Sequence, residues 1–311
     1  MIAQVRPTSV SVVISTKNRP DGVMNAVRSV IDSLPEDGEI IIVDDGSIIP
    51  ARTVLRALAD PRLKCVENPG PHGPSAARNF GVCQASSDLI LFLDDDDLMV
   101  EDYCTRVLAR LPELPDACVF GFSTALHLEA DGSRSYQKSV SPQGVLGPET
   151  PLKHRLAGLG MGFWIKRHAF NDAGKLDIAI SVNEDTEFSI RLAANGYSCY
   201  CDQTAGVILI LDPVRASGDA SSITKAAGAK ARYEGFEYIL TKHRTFLLGH
   251  GAFRRKFFSR VLKYRVRAAE SDGWYRFWTT QRPLAEAIVF GLLGSTWLWI
   301  SKLKITRPFR S

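Results

Sequence analysis

The sequence predicts an α/β fold, a doubly wound and mainly parallel sheet carrying a helical, basic C-terminal extension. Three observations predict it. Through the first hundred residues, short apolar runs alternate with stretches of helical periodicity. Two of those runs end in acids, Asp44-Asp45 and Asp94-Asp95-Asp96-Asp97. Charge is unevenly divided as well: residues 240–311 hold 15 Lys and Arg against 3 acids, and the rest holds 23 against 31. At 311 residues the chain can bury a large core as one or two domains. We place the α/β domain at 1–215 and the extension at 216–311.

Val10-Ser11-Val12-Val13-Ile14 is the first buried strand. After a turn at 16–21, Val23, Val27, Val30, Ile31 and Leu34 fall at helical spacing, with Pro20 near the helix start, where its missing N–H costs nothing. Ile40-Ile41-Ile42-Val43 is the second strand, Val54, Leu55 and Leu58 mark the next helix, and Leu63–Val66 is a short third strand. A Gly/Pro-rich loop, 68–74, leads into a helix through Phe80 and Val82 and then into the strand Leu89–Leu93. Strands alternating with helices wind into a parallel sheet, and such sheets bind ligands at the carboxyl ends of their strands. Beyond residue 117 we expect a strand at Cys118–Phe122, a mobile loop over 129–153, a helix from Asn183 to a cap at Gly196, and a strand at Val207–Leu211. The six cysteines have no zinc-ligand spacing and read as reduced, buried or half-buried thiols of a cytoplasmic protein; residues 1–7 carry no apolar signal segment.

The four consecutive aspartates are the most informative feature. Side chains alternate along a strand, so Asp94 and Asp96 point the same way. Like charges held together at the edge of a core repel, and a divalent cation would relieve them. An oxygen-only ligand set favours Mg²⁺ or Mn²⁺ over Zn²⁺.

Taken in order, Val10–Asn18, Ile40–Ser47, Gly73–Gly81 with Ala77-Arg78-Asn79, Leu91–Asp97 and then Glu184-Asp185 resemble glycosyltransferase family 2, nucleotide-sugar-dependent enzymes of GT-A (Rossmann-like) fold. The resemblance covers about residues 8–215. It implies that Ser15 and Lys17 line the nucleobase pocket, that Asp45 reads the base with Asp44 in reserve, and that Arg78 approaches the nucleotide. It further implies Asp94 and Asp96 as metal ligands for Mn²⁺ or Mg²⁺, Asp95 at the ribose, Asp97 behind them, and Asp185 as general base beside Glu184. A single displacement then inverts the anomeric carbon. The donor would be a nucleotide diphosphate sugar, most simply a UDP-sugar, and the acceptor a glycan or lipid-linked glycan in cell-surface polysaccharide assembly. Two family features are missing: a late His, where this chain reads Asp212–Asp219, and the Gln-x-x-Arg-Trp signature of processive enzymes, so one sugar per encounter is expected.

The extension interleaves bases with aromatics and ends in an apolar run within about 284–300, of which Ala287–Ile300 is 14 residues. A spanning helix needs about 20. We expect this segment to lie on the cytoplasmic leaflet of a membrane, and no nucleic-acid motif accompanies it. Among rival readings, a haloacid-dehalogenase-type phosphotransferase would need Thr or Val where Leu98 stands, and a calcium loop would need Gly at Met99. A nucleotidyltransferase would need glycines between Ser15 and Pro20. A nucleotide-sugar-binding module without turnover is the first alternative, and the phosphotransferase stands behind it.

Overall fold

The computed structural model describes residues 9–137, 139–211, 228–268 and 292. The chain divides into two compact units, Met1–Ala179 with Glu184–Ser221, and Ile180–Asn183 with Ser222–Ser311. The first holds one sheet. Its strands are β1 (Val10–Thr16), β2 (Glu39–Asp44), β3 (Leu63–Glu67), β4 (Leu89–Asp94), β5 (Asp97–Met99), β6 (Cys118–Glu129), β7 (Arg134–Gln137), β8 (Gly144–Leu146), β9 (Trp164–Lys166) and β10 (Ser198–Leu211). The order is β3-β2-β1-β4-β9-β6-β10-β5, with β7 on β6 and β8 on β10. The first four strands are parallel, as are β6 and β10; β9 and β5 run against their neighbours.

The apolar runs are continuous because both faces of the sheet are covered. Val12 and Ile14 of β1 enter one core with helix α1 (Pro20–Ser33), while Val13 enters the other with α3 (Pro74–Gln84). The first core also takes residues of α2 (Ala51–Leu55) and α4 (Tyr103–Arg110), the second those of α5 (Arg167–Asp172) and α6 (Glu184–Ala194). Four phenylalanines, Phe92, Phe163, Phe170 and Phe188, tie sheet to α5 and α6, with ring centroids 5.2–6.4 Å apart.

Two expectations are corrected. The stretch 129–153 is not one loop: β7 and β8 pair with β6 and β10, and a 3₁₀ turn follows at Leu152–His154. The β7 residues are mostly exposed and polar, so no apolar alternation announced them. All six cysteines are free thiols, but Cys83 is exposed, on the outer side of α3. Cys104 is pushed up to about 11, and Cys118 and Cys199 to about 12, by burial. Cys199 and Cys201 share a buried face of β10, as alternation predicts.

The second unit contains α7 (Ala229–Lys242), α8 (Arg244–Leu248) and α9 (Gly251–Arg267). Phe236 of α7 packs edge-on against Phe257 of α9, centroids 5.0 Å apart. Among the described residues, no helix is long and apolar enough to cross a membrane. The apolar run at 284–300 and the stretch Asp212–Asp219 lie outside the described residues, apart from Leu292.

Candidate active site

Strand register brings the acidic ends together. Ser15 pairs with Val43 on one side and Asp94 on the other, and Thr16 pairs with Asp44. The carboxyl ends of β2, β1 and β4 therefore lie side by side, where an α/β sheet binds its ligand. Ser15 is half-buried there, and Lys17, the first residue past β1, is exposed.

Asp44 and Asp45 face different neighbours. Asp44 is buried and accepts from the Ser47 N–H (2.8 Å) and the Ala51 N–H (2.7 Å), so it fixes the turn into α2. Asp45 accepts from Asn68 Nδ2 (2.6 Å) and the Gly73 N–H (2.9 Å), with His72 Nδ1 at 3.1 Å. It thus fastens the Gly/Pro loop beside the crevice. Sequence reasoning passed over Asn68 and His72. Their one signal was that they are the polar residues of that loop.

The four aspartates part company where the strand ends. Asp94 is the last residue of β4, and Asp97 already begins β5, which pairs with the far end of β10. The turn between them brings carboxylate oxygens of Asp94, Asp96 and Asp97 within 4.8 Å of one another. Asp95 turns inward, accepting from Thr16 Oγ1 (2.7 Å) and Arg19 Nη1 (2.7 Å). The same Arg19 nitrogen donates to Asp96 at 2.9 Å. Asp97, which the sequence placed behind the others, stands within the cluster. Burial, and then the charges of Asp94 and Asp96, push its carboxyl up to about 8. Three oxygen donors held together against their own repulsion fit a hard divalent cation.

This shift has a measurable consequence. Without metal, the folded protein should hold a proton on Asp97 between the ordinary carboxyl range and about pH 8, where the unfolded chain does not. Without metal, stability should therefore fall as pH rises from about 5 to 8. Thermal melts with chelator should show this slope, and Asp97→Asn should flatten it. An unchanged slope in the variant would place the pH dependence elsewhere.

Arg78 joins the two halves of the site. Its Nη2 donates to Asp94 (2.6 Å) and its Nη1 to Glu184 (3.3 Å). It is 8% exposed and its partners are half-buried, so these are part-buried ion pairs rather than surface ones. Burial opposes its charge, but Asp94 and Glu184 outweigh it and raise its pKa. Glu184 and Asp185 open α6, and burial raises both carboxyls; for Glu184 the neighbouring Asp185 adds to the effect, while for Asp185 the Thr186 N–H (2.6 Å) works the other way. Two residues on, Glu187 is fully buried and bound by Arg191, a purely structural pairing.

A glycine-rich loop before β9 lies over these acids. A Cβ at Gly160 would sit 2.7 Å from Asp94 Oδ2, and one at Gly158 would sit 3.2 Å from Asp185 Oδ2. The loop therefore runs from Asp185 to Asp94, and at Gly160 a side chain would displace Asp94. The sequence showed the glycines, but only the fold shows what they approach.

A sequence profile described as glycosyl transferase family 2 matches residues 11–170, more than half of the chain. The chain belongs to glycosyl transferase family 2. A Haemophilus influenzae protein named "uncharacterized glycosyltransferase" is 26% identical over 182 residues, 58% of this chain and 61% of that one. The Rhizobium meliloti succinoglycan biosynthesis proteins ExoU and ExoA are 41% identical over 106 residues and 28% identical over 221, covering 33% and 66% of this chain. The chain spans 31% and 64% of those two, so it spans less than two thirds of each of these relatives. Among solved structures, residues 1–349 of S. aureus TarS in complex with UDP-GlcNAc superpose with a TM-score of 0.61 at 16% identity, covering 86% of this chain and 75% of that one. The UDP complex gives 0.58 at 15% identity, covering 92% and 81%. At this identity the likeness establishes the GT-A fold of the family 2 chain, a curled, mainly parallel sheet between helices.

Proposed function

We propose that this family 2 chain is a metal-dependent, inverting glycosyltransferase that moves one sugar from a UDP-sugar to a glycan or lipid-linked acceptor. One observation carries the reading: three clustered carboxylates, Asp94, Asp96 and Asp97, stand across Arg78 from a second acidic pair, Glu184 and Asp185. That is a place for a leaving group and, beside it, a place for a base. UDP as the donor nucleotide is supported by the TarS complexes with UDP-GlcNAc and UDP. Polysaccharide assembly is supported by the succinoglycan relatives.

A sugar hydroxyl attacks poorly until its proton has a receptor. Asp185 takes that proton as the hydroxyl oxygen bonds the anomeric carbon, and its raised pKa makes it a stronger base than a free carboxylate. The bond from the anomeric carbon to the phosphate oxygen breaks, and its electrons stay with the diphosphate. One displacement from the opposite face inverts that carbon. Asp94, Asp96 and Asp97 would hold Mn²⁺ or Mg²⁺, which when bound would supply positive charge to offset that of the diphosphate. Arg78 is bonded to both Asp94 and Glu184 and keeps the two halves in register. The nearby N-terminal end of α3 favours negative charge.

The test is nucleotide release. The chain is incubated with UDP-, GDP-, dTDP- and CMP-sugars, Mn²⁺ and a bacterial lipid-linked glycan extract. The expected result is UDP release that depends on the extract, with a glycosidic bond of opposite configuration to the donor. Retained configuration, or another nucleotide released, would overturn the corresponding part. Donor binding without any release would favour the non-catalytic module.

A further inference from the structure

Helix α9 divides cleanly into two faces. Arg254, Phe257, Phe258, Val261 and Arg265 are buried within the second unit. Arg255, Lys256, Arg260, Lys263 and Arg267 are exposed. At about 100° per residue, these five cations fall within an arc of roughly 140° and run about 18 Å along the helix. The helix contains no acid. Among the described residues, no carboxylate pairs with any of the five, whereas Arg265 on the buried side is bonded to Glu237 at 2.5 Å. Three of the charged heads also lie over aromatic rings: the Arg260 guanidinium is 5.4 Å from the Phe236 ring centroid, and the Lys263 ammonium and Arg267 guanidinium are 5.8 and 5.6 Å from that of Tyr264.

We propose that this face of α9 docks on an anionic phospholipid bilayer. A straight row of cations on one side of a helix is complementary to a plane of phosphates, and neutralising them by a partner is the interaction left open. Single-stranded nucleic acid fits less well. It asks for fully exposed rings to stack on bases, whereas Phe257 and Phe258 are buried and Phe253 and Tyr264 are half-buried. The sequence adds the apolar run Ala287–Ile300, flanked by Lys302 and Lys304, and Leu292 within it is exposed. The basic face of α9 supplies attraction and specificity for anionic lipid. The inference does not rest on the transferase reading, since it concerns the second unit alone.

The experiment is flotation of the full chain with vesicles of phosphatidylcholine, either pure or with about one third phosphatidylglycerol, at about 0.15 M salt. We expect binding to the anionic vesicles, release at high salt, and little binding to the neutral ones. The triple variant Arg260→Glu, Lys263→Glu, Arg267→Glu should lose at least about a hundredfold in anionic-vesicle affinity, since each lost cation is worth about fivefold. Its circular dichroism should match the wild type. If it misfolds, Arg255→Gln with Lys256→Gln is the substitute, expected to lose about twenty-fivefold. Equal binding to neutral vesicles would move the contact to the apolar run and overturn the proposal, as would unchanged binding in a folded variant. Tighter binding to a single-stranded RNA than to anionic vesicles, abolished by the same substitutions, would overturn it in favour of nucleic acid.

Discussion

Asp185→Asn should lower kcat about a thousandfold while raising thermal stability. The first effect follows from removing the receptor for the acceptor's proton; positioned bases contribute about 10²–10⁴-fold. The second follows from the direction of the shift. Burial raises the Asp185 carboxyl, so the folded state disfavours its charged form. Its contribution to stability falls as pH climbs from the unfolded pKa through the folded one, and at neutral pH the uncharged amide is relieved of that cost. The Thr186 N–H at 2.6 Å retains an acceptor in the Asn side-chain oxygen. Donor KM should stay within about twofold, because the base acts in the transition state. Steady-state kinetics and a melt on one preparation give both readings. Near-normal kcat with a lowered melting temperature would instead make Asp185 an acid that merely favours the helix N-terminus.

Asp96→Ala should weaken metal binding sharply with little damage to the fold. The Asp96 side chain is 30% exposed and its bonded partner is Arg19, which keeps its 2.7 Å bond to Asp95 in the variant. A part-exposed pair of this kind contributes at most about 1 kcal/mol. Losing one of three charged oxygen donors, however, should weaken Mn²⁺ binding about a hundredfold, since ligand charge sets affinity at such sites. Electron paramagnetic resonance of free Mn²⁺ measures this directly. An affinity within threefold of wild type would remove Asp96 from the ligand set.

Much of the fold was legible because burial on both faces writes itself into apolar runs. Val10–Ile14, Ile40–Val43 and Leu89–Leu93 are all in the sheet and run parallel, as expected. Gly196, at φ 79°, ends α6 where the sequence put its cap. The hidden parts are those whose partners lie far away in sequence. Polar β7 and short β8 exist only because β6 and β10 offer edges. The site shows the same division. Local pattern revealed the acids, but not which way each turns. Asp94, Asp96 and Asp97 cluster and Asp95 turns inward because the strand ends after Asp94, and the alternation rule ends with it. Arg19 was read as part of a turn, and only the packing of β1 on β4 shows it bridging two aspartates. Gly158 and Gly160 gained meaning only once the acids beneath them had positions.

The most direct test of the central claim is a thermal-shift panel of UDP-, GDP-, dTDP- and CMP-sugars, with and without Mn²⁺, on wild type and Asp96→Ala. A ligand at 100 times its dissociation constant adds about 2.7 kcal/mol, a rise of about 5 °C for a chain of this size. That rise is expected with a UDP-sugar and Mn²⁺ together on wild type, and its loss when either Mn²⁺ or Asp96 is removed. An equal rise without Mn²⁺ or in Asp96→Ala, or no rise with any nucleotide sugar, would contradict it.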